Sequence, residues 1–342
     1  MAGSWLASAA SGDKGRVHPV LASLAPRRIA VLRALMLGDV LCAVPALRAL
    51  REGFPDAEIT LIGLGWAREL AGRLSHLVDG FLELPGWPGL REVEPRVAEI
   101  PAFLAEAQRR RFDLAVQLHG SGRVANPLVA LLAARRTTGF HAPGGYRPDP
   151  DLFVPYEARG HEIHRLLRLP AALGLPVSGD ELEFPLRPSD ADELPPGLPA
   201  GSYACVHAGS RSAGPWPAER FAAVADELTR HGLRVALTGS AGERDVTCAV
   251  AKAMRAEAVD LAGRTSLGAL GALVRDAAIV VSNDTGVSHV AAALRTPSVV
   301  VVTTSDPERW APLDRARHRV VVRPQGAEPV LAEVEALLPA PV

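Results

Sequence analysis

The chain has 342 residues, of which 48% are apolar and 22% are charged, and its formal net charge is −1. This charge balance and an aromatic content of 5% argue against nucleic acid as a partner, because they supply neither bulk attraction nor base-stacking surfaces. The length is typical of two domains, each with its own core.

Residues 1–26 lack the apolar core of a signal peptide and predict a flexible N-terminal extension. No apolar run reaches transmembrane length, so at most peripheral contact with a membrane is expected. Three cysteines, Cys42, Cys205 and Cys248, lie far apart and form no C-x-x-C pair, which favours reduced thiols. These features favour a cytoplasmic protein, with a peripheral position at the inner membrane face as an option.

Strand and helix patterns alternate through residues 27–175, the first predicted domain. Apolar runs predict strands over 28–33, 58–62, 81–84, 113–118 and 136–140. Helical periodicity predicts helices over 40–50, 66–77, 97–110, 124–134 and 161–173. This alternation is typical of a mostly parallel sheet covered by helices on both faces.

A proline-rich segment over 176–201 predicts a linker, and the alternation restarts through 202–325. Strands are predicted over 203–207, 234–238, 258–261, 278–282 and 298–302. Helices are predicted over 218–231, 244–255, 267–276 and 287–294. The expected fold class is α/β, with two Rossmann-like doubly wound domains facing a central cleft. A last helix within 326–342 is expected to pack back on the N-terminal domain.

The segment 282–289 follows an apolar run and opens a helical pattern. Asp284, Thr285 and Gly286 would therefore lie at the carboxyl end of a strand and at a helix N-terminus, where N–H groups and the helix dipole favour an anion. His289 lies one turn further along the same helix face. The alternative is a plain helix cap by Asp284 or Thr285.

Two further strand-to-helix turns carry small and hydroxyl residues. In the turn over 207–217, Ser210, Ser212 and the backbone could hold phosphate oxygens, with Arg211 supplying positive charge. A flexible surface loop, with Trp216 as a packing anchor, is the alternative.

The turn over 238–245 contains Gly239 and Glu243. Glu243 could bind a ribose hydroxyl pair, and it could equally be a solvated acid in the first turn of a helix. Three such turns in one domain predict a nucleotide or another phosphorylated ligand. None of them is a Walker P-loop or a clean G-x-G-x-x-G.

In the first domain, Gly38 and Asp39 follow a strand and open a helix. Asp39 is either an N-cap or a carboxylate that accepts a proton from an acceptor hydroxyl. His119 ends another strand and could contact the same acceptor. His161 and His164 have no carboxylate set at ligand spacing, so no metal is expected.

Five segments of the chain, in their order, form one set. They are Arg33 with Gly38-Asp39-Val40-Leu41, His207 through Trp216-Pro217, Leu261-Ala262-Gly263-Arg264-Thr265, Asn283-Asp284-Thr285-Gly286-Val287-Ser288-His289, and Asp306 through Pro312. The set resembles glycosyltransferase family 9, the ADP-heptose transferase family. The chain departs from the family pattern at Ala34-Leu35-Met36, where many members have Ser or Thr, and at Gly214-Pro215, where many have Lys or Arg before Trp-Pro.

The resemblance implies a GT-B fold and inverting transfer of a heptose from an ADP-sugar, with no metal and no other cofactor. Asp39 would be the general base, with Gly38 and His119 on the acceptor side. N–H groups at Thr285 and Gly286 would stabilise the leaving diphosphate. The implied donor-binding residues are Ser210, Arg211, Ser212, Gly239, Glu243, Asp284, Thr285, Gly286 and His289.

The acceptor stays open between a saccharide, a lipid-linked molecule, and a small or nucleoside-like molecule. One alternative function is a hydrolytic GT-B enzyme such as an epimerase. Another is a non-catalytic protein that binds a nucleotide-sugar and does not need Asp39. A dehydrogenase is a further and weaker alternative, because it requires a glycine-rich motif after the first strand and this turn contains only Gly38.

Overall fold

The computed structural model of the protein describes residues 16–210 and 214–338. The chain forms two compact units that divide between Glu181 and Leu182. No helix in the described ranges combines the length and the apolar character needed to cross a membrane.

Six parallel strands form the sheet of the first unit. They are β1 (Arg28–Leu32), β2 (Glu58–Gly63), β3 (Gly80–Glu83), β4 (Leu114–Gln117), β5 (Arg136–His141) and β6 (Phe153–Pro155). Their order, β3-β2-β1-β4-β5-β6, is that of a doubly wound sheet whose direction of winding reverses between β1 and β4. The sequence pattern missed β6, because this edge strand has three residues and ends in proline.

Seven α-helices of the first unit lie within the described residues. They are α1 (Pro19–Leu24), α2 (Leu37–Cys42), α3 (Val44–Gly53), α4 (Ala67–Arg73), α5 (Ile100–Arg109), α6 (Ala125–Leu131) and α7 (Glu162–Ala172). The single helix predicted over 40–50 is therefore two helices that meet at Ala43. Pro45 lies in the first turn of α3, where its missing N–H leaves no intrahelical bond unmade.

Helix α1 lies inside the segment predicted to be a flexible extension, so that prediction is wrong for residues 19–24. Leu21 is fully buried, and the backbone N–H of His18 donates to the carbonyl of Leu173 at 2.9 Å. Pro19 opens the helix, and the His18 side chain accepts a hydrogen bond from the Val20 N–H. Apolar burial and these end contacts fix the segment on the first unit.

The second unit repeats the same topology. Its parallel strands are β7 (Tyr203–His207), β8 (Arg234–Leu237), β9 (Ala258–Asp260), β10 (Ile279–Asn283), β11 (Ser298–Val302) and β12 (His318–Val322). The order β12-β11-β10-β7-β8-β9 is again doubly wound, and the reversal lies between β7 and β10. Central strands such as β10 and β11 are buried along their whole length, which is why they consist mostly of apolar residues.

The helices of the second unit are α8 (Ala218–Arg230), α9 (Arg244–Ala253), α10 (Leu267–Asp276), α11 (Gly286–Leu294), α12 (Pro307–Trp310) and α13 (Glu328–Leu337). Helix α13 was expected to pack on the first domain, and its buried face shows otherwise. Val330 and Val334 are fully buried in the core of the second unit, where α13 contacts α8, β11 and β12. Their i, i+4 spacing forms one apolar face, and that face covers the nearest sheet.

Candidate functional site

The turn between β10 and α11 lies beside the winding reversal of the second sheet, where doubly wound folds bind ligands. Thr285 is extended, with a φ of −144°, and Gly286 begins the helix. The first N–H groups of a helix have no partners within it and favour an anion. The predicted positions of Asp284, Thr285 and Gly286 at a strand end and helix N-terminus are confirmed.

Neither side chain that could cap α11 does so. Thr285 makes no capping hydrogen bond, and its hydroxyl oxygen is buried without a partner among the described residues. The Asp284 carboxylate accepts a hydrogen bond from the Ser305 hydroxyl instead. The plain-cap alternative is therefore wrong, and an orphaned hydroxyl at this position can bond a ligand.

Arg315 is a cation near the same turn that sequence reasoning missed. Burial lowers the pKa of Arg315, and the negative charge of Asp284 opposes that shift. Its guanidinium donates to the carbonyl of Pro307 at 3.3 Å. No sequence motif includes this arginine, because it lies 31 residues after Asp284, the acid whose negative charge acts on it.

Asn283 joins the two central loops of this edge. Its side-chain amide donates to the carbonyl of Ala208 at 2.7 Å, and its oxygen accepts from the backbone N–H of Trp216 at 3.3 Å. The amide is buried, so both bonds are protected from water. Asn283 thereby fixes the loop after β7 against the end of β10, a role that the sequence did not reveal.

Glu243 belongs to a short 3₁₀ turn, Ala241–Glu243, after β8. Its carboxylate accepts hydrogen bonds from the backbone N–H and the hydroxyl of Ser240, at 2.7 and 2.8 Å. It also approaches Gly209 so closely that a Cβ there would lie 2.1 Å from Oε1. Glu243 is thus a turn-capping acid that reaches the loop after β7, and ribose binding stays a prediction.

His207 is the last residue of β7, and Gly239 follows β8, so both lie at the carboxyl edge of the second sheet. His207 is hydrogen-bonded to the Thr238 hydroxyl at 3.1 Å, and burial lowers its pKa against the opposing charge of Glu243. Gly239 holds the turn through its carbonyl, which accepts from the Gly263 N–H at 2.8 Å. These contacts join the end of β7 to the turn after β8, and that turn to the segment after β9.

The loop after β7 is described up to Ser210. Arg211 and Ser212, which were predicted to hold phosphate, lie outside the described residues. Their role therefore stays a prediction.

His289 lies in α11 and is buried, with 5% of its surface exposed. Its ring packs edge-to-face against Trp310, with the centroids 6.3 Å apart. This contact joins α11 to the segment that includes α12. His289 therefore has a packing role here, and contact with a donor stays a prediction.

In the first unit, Asp39 lies in the first turn of α2, directly after Gly38. The guanidinium of Arg33, almost wholly buried, donates to the Asp39 carbonyl through Nε and Nη2, at 3.0 and 2.8 Å. The same guanidinium lies 3.7 Å from the Asp39 carboxylate, whose side chain is 25% exposed. Asp39 is therefore held in position and remains accessible to solvent.

Arg33 also belongs to a buried ionic network that sequence reasoning missed. Its Nη2 donates to Glu162 at 3.1 Å, and Glu162 accepts a second bond from Arg165 at 2.6 Å. Arg165 also donates to the carbonyls of Ala158 and Gly160. Because 129 residues separate Arg33 from Glu162, no local pattern shows the pair.

His119 lies at the carboxyl end of β4, and Arg33 donates to the carbonyl of the preceding residue, Leu118. His119 is 7% exposed, and its Nδ1 has no hydrogen-bond partner among the described residues. Burial, reinforced by the charge of Arg33, lowers its pKa to about 3. The imidazole is therefore neutral near pH 7 and has an unused polar atom, as a substrate contact would require.

Replacing His119 by Asn should make the first unit less sensitive to acid. The unfolded chain protonates this histidine near its ordinary pKa of 6.5, whereas the folded chain does so only near 3. The contribution of His119 to the free energy of unfolding is therefore fully present above pH 6.5. It decreases as the pH falls below that value, by up to about 1.4 kcal/mol per pH unit. Urea unfolding between pH 6.5 and 5 measures this slope, and equal slopes for the two proteins would contradict the assignment.

One group of potential metal ligands occurs among the described residues: Glu227, His231 and Glu335. They lie near the C-terminal ends of α8 and α13, and each helix follows a parallel strand, so this end is opposite the strand-end loops. Glu227 pairs with Arg230 and His231. This cluster is separate from the strand-end residues, where the expectation of no metal stays a prediction.

Solved structures share the fold of the two doubly wound units. The chain is similar to the ADP-heptose LPS heptosyltransferase II of E. coli, with a TM-score of 0.73, 23% identity, and coverage of 91% of this chain and 98% of that one. It is equally similar to E. coli heptosyltransferase WaaC solved with ADP, with a TM-score of 0.73, 22% identity, and coverage of 91% and 100%. These likenesses show the GT-B fold, and the predicted α/β class with two Rossmann-like doubly wound units is confirmed.

Sequence comparison gives the family. The model of glycosyltransferase family 9 (heptosyltransferase) matches residues 102–339, more than half of the chain. A curated relative, lipopolysaccharide heptosyltransferase 2 of Escherichia coli strain K12, is 27% identical over 311 residues, which cover 84% of this chain and 85% of the relative. The chain belongs to glycosyltransferase family 9 and is a transferase enzyme, as the five sequence segments predicted.

Proposed function

We propose that this enzyme transfers a heptose from an ADP-sugar to a hydroxyl group of a lipopolysaccharide-core saccharide, with inversion at the anomeric carbon. The observation that carries the proposal is the turn before α11, with its orphaned Thr285 hydroxyl, inside the segment that matches the family. The names of the relatives support the choice of sugar and of acceptor.

The donor would lie along the carboxyl edge of the second sheet. The diphosphate would bind the first N–H groups of α11 and the Thr285 hydroxyl, because helix N-termini bind phosphate oxygens. Glu243, beside Gly209, would bind the ribose. Ser210, Arg211 and Ser212 would complete the phosphate site, while Asp284 and His289 would hold the turn.

Asp39 would remove the proton from the acceptor hydroxyl as its oxygen bonds to the anomeric carbon. The bond from that carbon to the diphosphate oxygen breaks, and ADP leaves with the electron pair. Attack from the face opposite ADP inverts the anomeric centre. Backbone N–H groups at α11 would stabilise the charge that gathers on the diphosphate, while neutral His119 bonds an acceptor hydroxyl.

The acceptor named in the relatives is part of a lipid-linked saccharide, so we place the enzyme in the cytoplasm with peripheral contact at the membrane face. A small or nucleoside-like acceptor is the alternative. Transfer to core saccharide with none to small hydroxyl compounds would support the first acceptor class.

ADP should bind at least tenfold more tightly than UDP or GDP, as measured by calorimetry and by the rise in melting temperature. Thr285→Val, which keeps the shape and removes the hydroxyl, should weaken ADP several-fold because one hydrogen bond is worth about 1 kcal/mol. Thr229→Val, at a partly buried helix position on α8, is the matched control and should leave ADP affinity unchanged. A preference for UDP or GDP would overturn the ADP-sugar assignment.

A further inference from the structure

A cavity of about 250 Å³ lies in the second unit, beyond the carboxyl ends of β11 and β12. Two arginines, Arg220 and Arg323, line it together with Trp216, Thr303 and Pro324. Clefts that hold a whole small molecule are usually about 300–1,000 Å³. This cavity is smaller, and its size suits one chemical group of a larger ligand.

Both arginines of the cavity carry charge that no carboxylate neutralises within the described parts of the chain. Arg220 donates to the carbonyl of Pro324 at 3.0 Å, and Arg323 donates to the carbonyl of Thr303 at 3.4 Å. Each guanidinium has five N–H donors, so these bonds leave most of them available. Two guanidinium groups at one cavity are the arrangement that recognises phosphate and carboxylate.

The wall of the cavity is fixed without a ligand. The Pro324 carbonyl also accepts from the Trp216 indole at 3.2 Å, and Trp216 packs edge-to-face on Phe221. The Trp216 backbone is held by Asn283 at the end of β10. The Pro324 carbonyl, which also accepts from Arg220, is therefore held in place and positions that guanidinium, which lowers the entropy cost of binding an anion.

The cavity and the proposed ribose site occupy different parts of the carboxyl edge of the sheet. Glu243 follows β8, whereas the cavity lies beyond β11 and β12 and is closed by Trp216 and Arg220 from the segment that follows β7. Trp216, which lines the cavity, is hydrogen-bonded to Asn283, so the cavity lies next to the end of β10. A donor with its ribose at Glu243 and its diphosphate at α11 would point its sugar toward the cavity.

We propose that the Arg220–Arg323 cavity is a subsite for an oxyanion, a phosphate or carboxylate on a sugar ligand, separate from the donor diphosphate. The proposal rests on the proposed function for the direction of the donor. Gly214 and Pro215, which precede Trp216, carry no charge. The two arginines supply positive charge next to that segment.

Inorganic phosphate is the probe, titrated by calorimetry into the full-length protein with and without saturating ADP. Phosphate should bind the ADP-saturated protein, and Arg323→Gln should weaken that binding at least tenfold while changing ADP affinity less than twofold. Arg220→Gln should weaken phosphate binding in the same way. Arg295→Gln is the matched control, because Arg295 is also exposed and also has a positive φ, of 58° against 50° for Arg323.

Loss of phosphate binding when ADP is saturating, or equal binding by wild type and Arg323→Gln, would overturn the subsite. Failure of ADP to bind would overturn the proposed function and leave the Arg323 comparison valid. In a transfer assay of Arg323→Gln, a raised KM for the acceptor alone would place the oxyanion on the acceptor. A raised KM for the donor alone would place it on the donor sugar.

Discussion

Replacing Asp39 by Asn is expected to lower kcat of sugar transfer by about 10³-fold, within the range of about 10²–10⁴ that general bases contribute. Asparagine keeps the shape of the side chain and cannot take the acceptor proton. The buried Arg33 guanidinium holds the Asp39 backbone carbonyl, so the turn should keep its geometry in the variant. ADP affinity should therefore remain within twofold of wild type, since ADP is assigned to the second unit.

The measurement is single-turnover transfer, with calorimetric ADP titration on the same preparations. Asp56→Asn is the control, because Asp56 is an exposed carboxylate paired with Arg27 at 4.0 Å. It should retain full activity. Transfer by Asp39→Asn within tenfold of wild type would refute the base assignment, and so would an equal loss of ADP affinity and activity.

Replacing Glu162 by Ala should lower the free energy of unfolding by about 3–5 kcal/mol, the usual effect of leaving buried charge unpaired. Arg33 and Arg165 are both nearly fully buried, and Glu162 accepts a hydrogen bond from each. Removing it leaves two like charges without their common partner. Chemical denaturation with a probe in the first unit measures the loss.

Glu157→Ala is the matched control, since Glu157 forms a half-exposed ion pair with Arg168 in the same unit. Exposed pairs contribute about 0–1 kcal/mol, so this variant should be close to wild type. Glu162→Gln, which keeps one acceptor oxygen, should fall between the two and serves if Glu162→Ala does not fold. A loss below 1 kcal/mol for both Glu162 variants would show that the network does not stabilise the unit.

The network also links stability to catalysis. Arg33 contacts Glu162, the Asp39 carbonyl and the Leu118 carbonyl beside His119. One guanidinium thus fixes the ends of β1 and β4, where the proposed acceptor residues lie. Loss of Glu162 should therefore reduce kcat more than it alters ADP affinity, provided that the variant is assayed well below its melting temperature.

Sequence patterns predicted most central strands because these strands are buried on both faces and need continuous apolar runs. The edge strands β3 and β9 were predicted, whereas the edge strands β6 and β12 were missed: β12 is half-buried and includes Arg319, and β6 is short. The turn at 284–286 was also predictable, because strand, turn glycine and helix follow one another locally. The family segments added the assignment to glycosyltransferase family 9, which the comparison confirms.

By itself the sequence determined two α/β units, their strand-end turns and the family, because strands and turns depend on residues close together in the chain and the family on short segments in a fixed order. Tertiary structure alone decided that Glu162 pairs with Arg33, that Asn283 holds the loop before Trp216, and that Val330 packs α13 on the second unit. It also brought Arg220 and Arg323 to one cavity. Contacts between distant residues depend on strand order and burial, and these arise only when the whole chain has folded.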